Sequence, residues 1–344
     1  MSSVGWGLKG FITMGRHLNH RLLLLTVIAA AWLAYHAVEG KAGERVVRIA
    51  WVGPDSAAGS SRFLGAFRER LRELGWIEGE NLLLSPYYCN GHLDRFPDLM
   101  RQALAGKPDV LVTGSTPGAL AAKNATATVP IIVAAMGDPV RSGVVSNLAR
   151  PGGNLTALST GYSDGFAGKW LELLLEAVPN ATKVAVVWNL SNPVVLPFRG
   201  DLETAATVRG VELDFIDVRS VQGLEGAFGR ARRTSQAAVV VCENLFIQNI
   251  QLVVDLAAAN RLPSVYCLSG FAKAGGLMSY GVDLPAMVRR AAEQTDKVLR
   301  GTKAGDLPVE QADRYELVVN LRTAKTLGLT IPESILVRAD ELIR

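Results

Sequence analysis

Polar residues with the chemistry to bind a small solute follow the predicted strands, at the points where the strands end. The candidates in the first half of the chain are Asp55, Ser56, Ser61, Gly114, Ser115, Thr116, Asp138 and Pro139, and those in the second half are Asn189, Asn192, Glu243, Asn244 and Tyr280. Hydroxyls beside the exposed N–H groups of a helix N-terminus favour an anion such as a carboxylate. Asp138 is the candidate counter-charge for an ammonium group, and Tyr280 offers a surface for an apolar or aromatic side chain.

Each of these residues also has a structural alternative. Serine and threonine before a helix commonly cap it, and Asn192 followed by proline is a typical helix start. Asp138-Pro139 is equally consistent with a simple turn. Tyr280 is also a candidate core residue.

Catalytic and metal-dependent chemistry is disfavoured by the residues present. Three of the four histidines (His17, His20 and His36) precede the folded part of the chain, which leaves only His92 for a zinc site or a Ser-His-Asp triad. Residues 114–118 resemble a nucleophile elbow, but the central residue is Thr116, and the one available base, His92, lies at a predicted helix start in the wrong place. Residues 161–169 lack the spacing of a phosphate-binding loop, and no dinucleotide fingerprint follows the first strand. We therefore expect no enzyme, no cofactor and no metal.

The candidate residues are positioned by alternating strands and helices. Apolar runs rich in β-branched residues predict buried strands at 46–52, 82–88, 108–113, 130–135, 154–159, 184–188, 211–218, 237–242, 263–268 and 277–280. Amphipathic segments between them predict helices. Strands that alternate with helices indicate an α/β fold with parallel sheets and right-handed crossovers.

The alternation of strands and helices occurs in two successive blocks, which predicts two doubly wound lobes joined by a hinge. Residues 137–153 contain a loop, a predicted short helix and a Pro-Gly-Gly turn near the end of the first lobe. The last long helix has no new strand beside it, so we expect it to return to the first lobe. The predicted lobes are 45–160 with about 283–312, and 161–282 with about 313–344. Ligands bind beyond the carboxyl ends of such strands, so a cleft between the lobes is the predicted site.

The N-terminus predicts export. Basic residues precede an apolar run at 22–34, which has the length of a signal-peptide core and is short for a membrane span. We expect residues 1–42 to be a signal peptide, starting at Met1 or Met14, and the protein to be periplasmic; an uncleaved inner-membrane anchor is the alternative. Of the net charge of +4, most lies in this segment. The remainder is nearly neutral, which predicts no nucleic-acid partner.

The three cysteines leave one question open. Cys242 and Cys267 end consecutive predicted strands, so a disulfide between them is geometrically possible in an oxidising compartment. Two buried thiols are the alternative. Cys89 is expected to be a lone buried residue.

Several segments resemble one known family. They are GDPVRSGVV at 137–145, ARPGGNLTALS at 149–159, GFAKAGGLMSYGVDLPAMVRRAA at 270–292 and the tail at 306–343. In this order they are similar to the solute-binding proteins of ABC importers with a type I periplasmic-binding fold, in particular the group that includes tryptophan-binding receptors. One departure concerns the cleft: family members often have Asp-Pro-Leu-Phe where this chain has Glu243-Asn244-Leu245-Phe246.

The resemblance implies a function and its partners. The chain would be a monomeric periplasmic receptor that captures a small-molecule solute, such as an amino acid (including an aromatic one) or a related organic acid. It would deliver this solute to an ABC permease and its ATPase in the inner membrane. The alternative is a ligand-sensing module of the same fold, whose closed state is presented to a membrane signalling partner.

Overall fold

A computed structural model describes residues 45–162, 165–192, 195–241, 243–312 and 314–344. Within it, Val47–Arg344 form one compact unit. None of the helices in these described ranges has the length and apolar character needed to cross a membrane. The predicted signal peptide, its start site and the alternative anchor lie outside the described residues.

Thirteen strands and twelve α-helices are found in the described ranges. In chain order the strands are β1 (Val47–Gly53), β2 (Leu82–Tyr88), β3 (Val110–Thr113), β4 (Ile131–Met136), β5 (Leu155–Ser159), β6 (Lys183–Trp188), β7 (Glu212–Asp217), β8 (Ala237–Val240), β9 (Ser264–Tyr266), β10 (Met278–Gly281), β11 (Glu310–Gln311), β12 (Glu316–Asn320) and β13 (Glu341–Ile343). The helices are α1 (Ala57–Glu73), α2 (Phe96–Ala105), α3 (Thr116–Ala125), α4 (Phe166–Ala177), α5 (Leu196–Arg209), α6 (Gly223–Thr234), α7 (Asn244–Gln248), α8 (Ile250–Ala259), α9 (Ser269–Lys273), α10 (Leu284–Leu299), α11 (Leu321–Leu327) and α12 (Glu333–Arg338).

The strands form two separate sheets. The first has the order β11-β5-β4-β3-β1-β2 and is parallel throughout. The second has the order β13-β12-β10-β9-β8-β6-β7, in which only the β10–β12 pair is antiparallel. Central strands such as β3 and β8 are buried along their whole length, as expected for sheets covered by helices on both faces. We call each sheet with its helices a lobe.

The chain crosses between the lobes three times: after β5, after β10 and after β11. The helix α10 follows the second crossing and packs against α1 and β4 of the first lobe. Arg70 and Arg289 reinforce this packing through ion pairs between the two helices, Arg70 with Glu293 and Arg289 with Glu73. The exact residue boundaries of the two lobes stay a prediction.

Aromatic side chains fill the space between the crossings. This aromatic cluster consists of Tyr162, Phe166, Trp170, Tyr280 and Tyr315. Tyr162 stacks on Phe166 with ring centroids 4.2 Å apart. The Tyr315 hydroxyl donates to the Gly161 carbonyl at 2.7 Å, and the Trp170 indole donates to the Tyr280 carbonyl at 2.6 Å. The crossings are therefore held at fixed positions relative to one another.

The short helix predicted within 137–153 is wrong: residues 139–143 form turns, because the Asp138 carboxylate accepts the Val140 and Arg141 N–H groups and closes the chain locally. Cys89 is a buried free thiol, as expected. Cys267 is disulfide-bonded, so the alternative of two buried thiols is wrong. Cys242, the cysteine predicted as its partner, lies outside the described residues.

We predict that Gly281, at the second crossing, does not tolerate a side chain. A Cβ atom there would lie 1.7 Å from the Cys267 carbonyl oxygen and 2.9 Å from the Tyr162 hydroxyl. Gly281→Ala should lower the free energy of unfolding by roughly 1–3 kcal/mol, because the backbone must shift. Gly65→Ala is the control: Gly65 lies in α1 with open space around it, so alanine should raise stability by about 0.5–1 kcal/mol. Denaturant unfolding measures both, and equal stabilities for the two variants would contradict the prediction.

Candidate functional site

A cavity of about 150 Å³ lies between the two lobes, beyond the carboxyl ends of their strands. It has room for on the order of ten water molecules, which suits a solute the size of one amino acid. The lobes meet at its edge, where the Gln248 side-chain amide of α7 lies 3.5 Å from the Pro54 carbonyl and can donate to it. The polar residues lining the cavity are Asp55, Ser60, Ser115, Thr116 and Thr160 from the first lobe and Asn192, Glu243 and Asn244 from the second.

Asp55 follows β1 and is buried in the first-lobe wall, with 7% of its surface exposed. Ser60, in the first turns of α1, places its hydroxyl 3.5 Å from the Asp55 carboxylate. Burial raises the pKa of Asp55 to about 6, although hydrogen bonds from Ser60 and Gln248 and the charge of Arg62 partly offset this effect. Among the described residues, no cationic side chain forms an ion pair with Asp55.

Gly114 and Ser115 join β3 to α3, and both line the cavity together with Thr116, the first residue of α3. Ser115 has φ +68° and ψ 157°, a conformation that residues other than glycine rarely adopt. Its hydroxyl accepts the Gly118 N–H and so caps α3, while its own N–H donates to the Ala135 carbonyl. The N-terminus of α3 is thereby held at the cavity, where its dipole favours a negative group.

Glu243 provides the buried carboxyl group of the second-lobe wall, with 3% of its surface exposed. It accepts the Asn189 amide at 3.1 Å, the Asn192 amide at 3.5 Å and the Leu245 N–H, which starts α7. Burial raises the pKa of Glu243, and these neutral donors lower it in part. Asn189 itself does not line the cavity, so its role in the structure is to orient Glu243.

Three buried polar atoms of the cavity wall have no hydrogen-bond partner among the described residues. They are Trp51 Nε1, Thr160 Oγ1 and Asn244 Nδ2. Buried polar groups are normally paired, and leaving one unpaired costs about 1–3 kcal/mol. A ligand with complementary groups would satisfy them.

Apolar and aromatic side chains complete the cavity wall. In the first lobe they include Trp51, Phe63, Ala134, Leu284 and Val288, and the wall continues with Tyr162, Phe198, Ile247 and Leu268. No lysine or arginine is among the described residues that line the cavity. The cavity thus combines one buried carboxyl group from each lobe with a largely apolar surface, a combination suited to a small cationic or zwitterionic solute with an apolar part.

Several residues predicted from the sequence do not line the cavity. Ser56 caps α1 by accepting the Gly59 N–H, and Ser61 is exposed and donates to the Ala58 carbonyl. Asp138 is exposed, with its carboxylate in the turn described above, and the buried Pro139 follows it. Tyr280 stacks on Phe166 inside the aromatic cluster.

The comparisons with known proteins agree with this geometry. A family model for ABC transporter substrate binding proteins matches residues 56–343. The chain belongs to this family. A tyrosine-binding protein from Clostridioides difficile is 28% identical over 263 residues, which are 76% of this chain and 75% of that protein.

Solved structures in the same fold class extend the comparison. A conserved domain protein from Vibrio cholerae has 26% identity and a TM-score of 0.79, over 87% of this chain and 100% of that one. An ABC domain from Streptococcus pneumoniae, solved in complex with L-Trp, has 23% identity and a TM-score of 0.77, over 86% of this chain and 99% of that one. The predicted fold class, two doubly wound lobes of the type I periplasmic-binding kind, is confirmed.

Sequence reasoning missed the residues of the apolar wall. Trp51 lies in the middle of β1, in a run of buried residues, where hydropathy alone indicates core. Tyr162 and Phe198 line the cavity, whereas Tyr280, the aromatic residue that the sequence predicts for the site, does not. The one indication in the sequence is the position of Tyr162 just after β5, where the chain crosses from one lobe to the other.

We predict that the Asp55 carboxyl group destabilises the ligand-free protein at neutral pH. Its pKa is 3.8 without perturbation and about 6 when folded, so the folded protein binds this proton more tightly than the unfolded chain does. The resulting stability is present below about pH 4 and is lost as the pH rises through about 6. Above that, the ionised group costs on the order of 2–3 kcal/mol.

Asp55→Asn should therefore raise the free energy of unfolding at pH 8, and the gain should be smaller at pH 5. Urea unfolding without ligand at both pH values measures the difference. Glu80→Gln alters an exposed carboxyl group and serves as the control. A gain that is equal at the two pH values, or no gain at all, would show that Asp55 ionises normally.

Proposed function

We propose that this protein is the receptor of an ABC importer and binds an amino acid, of aromatic or related kind, in the cavity between its lobes. The observation that carries the proposal is the composition of the cavity: a buried acid from each lobe, no lining lysine or arginine among the described residues, and a large apolar wall. The relative from Clostridioides difficile is named for tyrosine binding, which supports an amino acid with an aromatic side chain.

The cavity has a complementary group for the carboxylate and another for the ammonium group of a zwitterionic solute. The solute carboxylate lies at the N-terminus of α3, beside Ser115 and Thr116, where the helix dipole favours an anion. The solute ammonium group neutralises Glu243, whose hydrogen bonds within the described part of the chain come from neutral donors. Because one wall belongs to each lobe, the solute stabilises the closed arrangement of the lobes.

Export and delivery complete the proposal. Residues 1–42 act as the signal peptide, the receptor works as a periplasmic monomer, and it delivers the solute to a permease that is driven by its ATPase. Family membership supports this role in transport. It involves no catalysis.

Ligand-dependent thermal stabilisation tests the proposal. We expect the purified protein to be stabilised by one or more aromatic L-amino acids in a panel of amino acids, aromatic acids and small organic acids. A tight ligand at 100 times its Kd contributes about 2.7 kcal/mol of stability, which a melting curve resolves easily. The absence of a shift with every compound in the panel would contradict the proposal.

Two variants assign the ammonium site within that test. Glu243→Gln keeps the size and most hydrogen bonds of the side chain but removes its charge, so affinity should fall about 10-fold or more. Asp138→Asn is the matched control, because Asp138 is exposed and outside the cavity wall. A loss of affinity in Asp138→Asn but not in Glu243→Gln would restore the assignment predicted from sequence.

A further inference from the structure

The first-lobe end of the cavity contains a polar corner formed by Trp51, Ser60 and Asp55. A Cβ atom on Gly53 would be 3.0 Å from Trp51 Nε1 and 3.3 Å from Ser60 Oγ, so both polar atoms lie against the same residue. The Ser60 hydroxyl in turn lies 3.5 Å from the Asp55 carboxylate. All three side chains line the cavity and are more than nine-tenths buried.

The surroundings of the polar corner are apolar. Phe63 of α1, Ala134 of β4 and the α10 residues Leu284 and Val288 line the same lobe of the cavity. An aromatic or aliphatic side chain of a solute fits among them, and its far end would then lie at the polar corner.

The donors and acceptors of the polar corner limit which group can lie there. Trp51 Nε1 can only donate and has no partner among the described residues. Ser60 donates to Asp55 and retains acceptor capacity, and the Asp55 carboxylate can only accept when ionised. The matching group must therefore accept one hydrogen bond and donate another.

Common ionic groups fail this requirement. An ammonium group has no acceptor, so it would leave Trp51 Nε1 unpaired and facing a cation. A carboxylate would accept from Trp51 but repel the Asp55 carboxylate. A hydroxyl group accepts from Trp51 Nε1 and donates to Asp55 or Ser60, and it satisfies the corner without adding charge.

We infer that the solute carries a hydroxyl at the end of an apolar side chain, as in a phenol, and that Trp51 is the residue that selects for it. This inference rests on the proposed function and specifies the substrate class of the same cavity. L-tyrosine has the required hydroxyl, L-phenylalanine lacks it, and the indole of L-tryptophan offers only a donor.

Calorimetric titration with L-tyrosine, L-phenylalanine and L-tryptophan tests the inference. The wild-type protein should bind tyrosine roughly 10- to 100-fold more tightly than phenylalanine, because phenylalanine leaves buried polar groups unpaired. Trp51→Phe keeps an aromatic ring but removes the N–H group. It should reduce this ratio to within a few-fold, mainly through weaker tyrosine binding. The ratio is insensitive to any general loss of stability in the variant.

Control variants separate the possible failures. Trp188→Phe changes another buried tryptophan that is not in the cavity wall. The ratio of its tyrosine affinity to its phenylalanine affinity should match that of the wild type. Asp55→Asn should weaken tyrosine binding more than phenylalanine binding, because phenylalanine has no hydroxyl to donate to Asp55. An equal loss of tyrosine and phenylalanine binding in Asp55→Asn would instead place the ammonium group there and overturn the inference.

The remaining outcomes are also decisive. If the wild-type protein binds phenylalanine or tryptophan as tightly as tyrosine, or if Trp51→Phe retains the wild-type ratio, the hydroxyl assignment is wrong while the receptor function stands. If the wild-type protein binds none of the three and no other amino acid, the proposed function fails and the inference fails with it.

Discussion

Two carboxyl groups, Asp55 and Glu243, are buried on opposite walls of one cavity without a cationic side chain in ion-pair contact among the described residues. Removing a carboxylate from water is costly unless hydrogen bonds or a cation compensate. Neutral amides and backbone N–H groups compensate Glu243, whereas Asp55 depends on weaker contacts and its pKa rises accordingly. The structure therefore carries an electrostatic cost that a ligand with matching donors relieves.

The fold explains why these groups face each other. Both lobes are built on largely parallel sheets, so within each sheet the carboxyl ends of most strands lie at the same edge. These two edges border the cavity, and the chain crosses between the lobes beside them. The aromatic cluster around Phe166 fixes the crossings, and Gly161 and Gly281 allow the backbones to approach closely there. The walls of the cavity come from strand ends and helix starts of the two lobes.

Much of this arrangement follows from local sequence patterns. The β-branched runs predict the strands because a parallel sheet is buried on both faces, and the polar residues after them predict most of the polar wall, including Ser115, Asn192 and Glu243. The sequence and the structure differ where a polar residue bonds within its own loop. The Asp138 carboxylate accepts the N–H groups of its own turn. The sequence pattern alone does not distinguish such a turn from a cavity-lining loop followed by a short helix.

The aromatic and apolar wall could not be predicted for a different reason. A tryptophan in a buried strand has the same hydropathy signal whether it packs in the core or borders a cavity, and Trp51 does both: it packs on Phe67 at 5.2 Å and leaves its N–H without a partner. Whether Tyr162 or Tyr280 reaches the cavity depends on the order in which aromatic rings stack at the crossings. That order is a property of the tertiary structure.

A crystal structure of the protein grown with L-tyrosine would test the central claim most directly. The account predicts electron density for one amino acid enclosed between the lobes, with its ammonium group at Glu243, its carboxylate at the start of α3 and its phenol hydroxyl within hydrogen-bond distance of Trp51 Nε1. Tyrosine bound outside the cavity, or bound inside it with the ammonium group at Asp55 and the ring directed away from Trp51, would contradict the account.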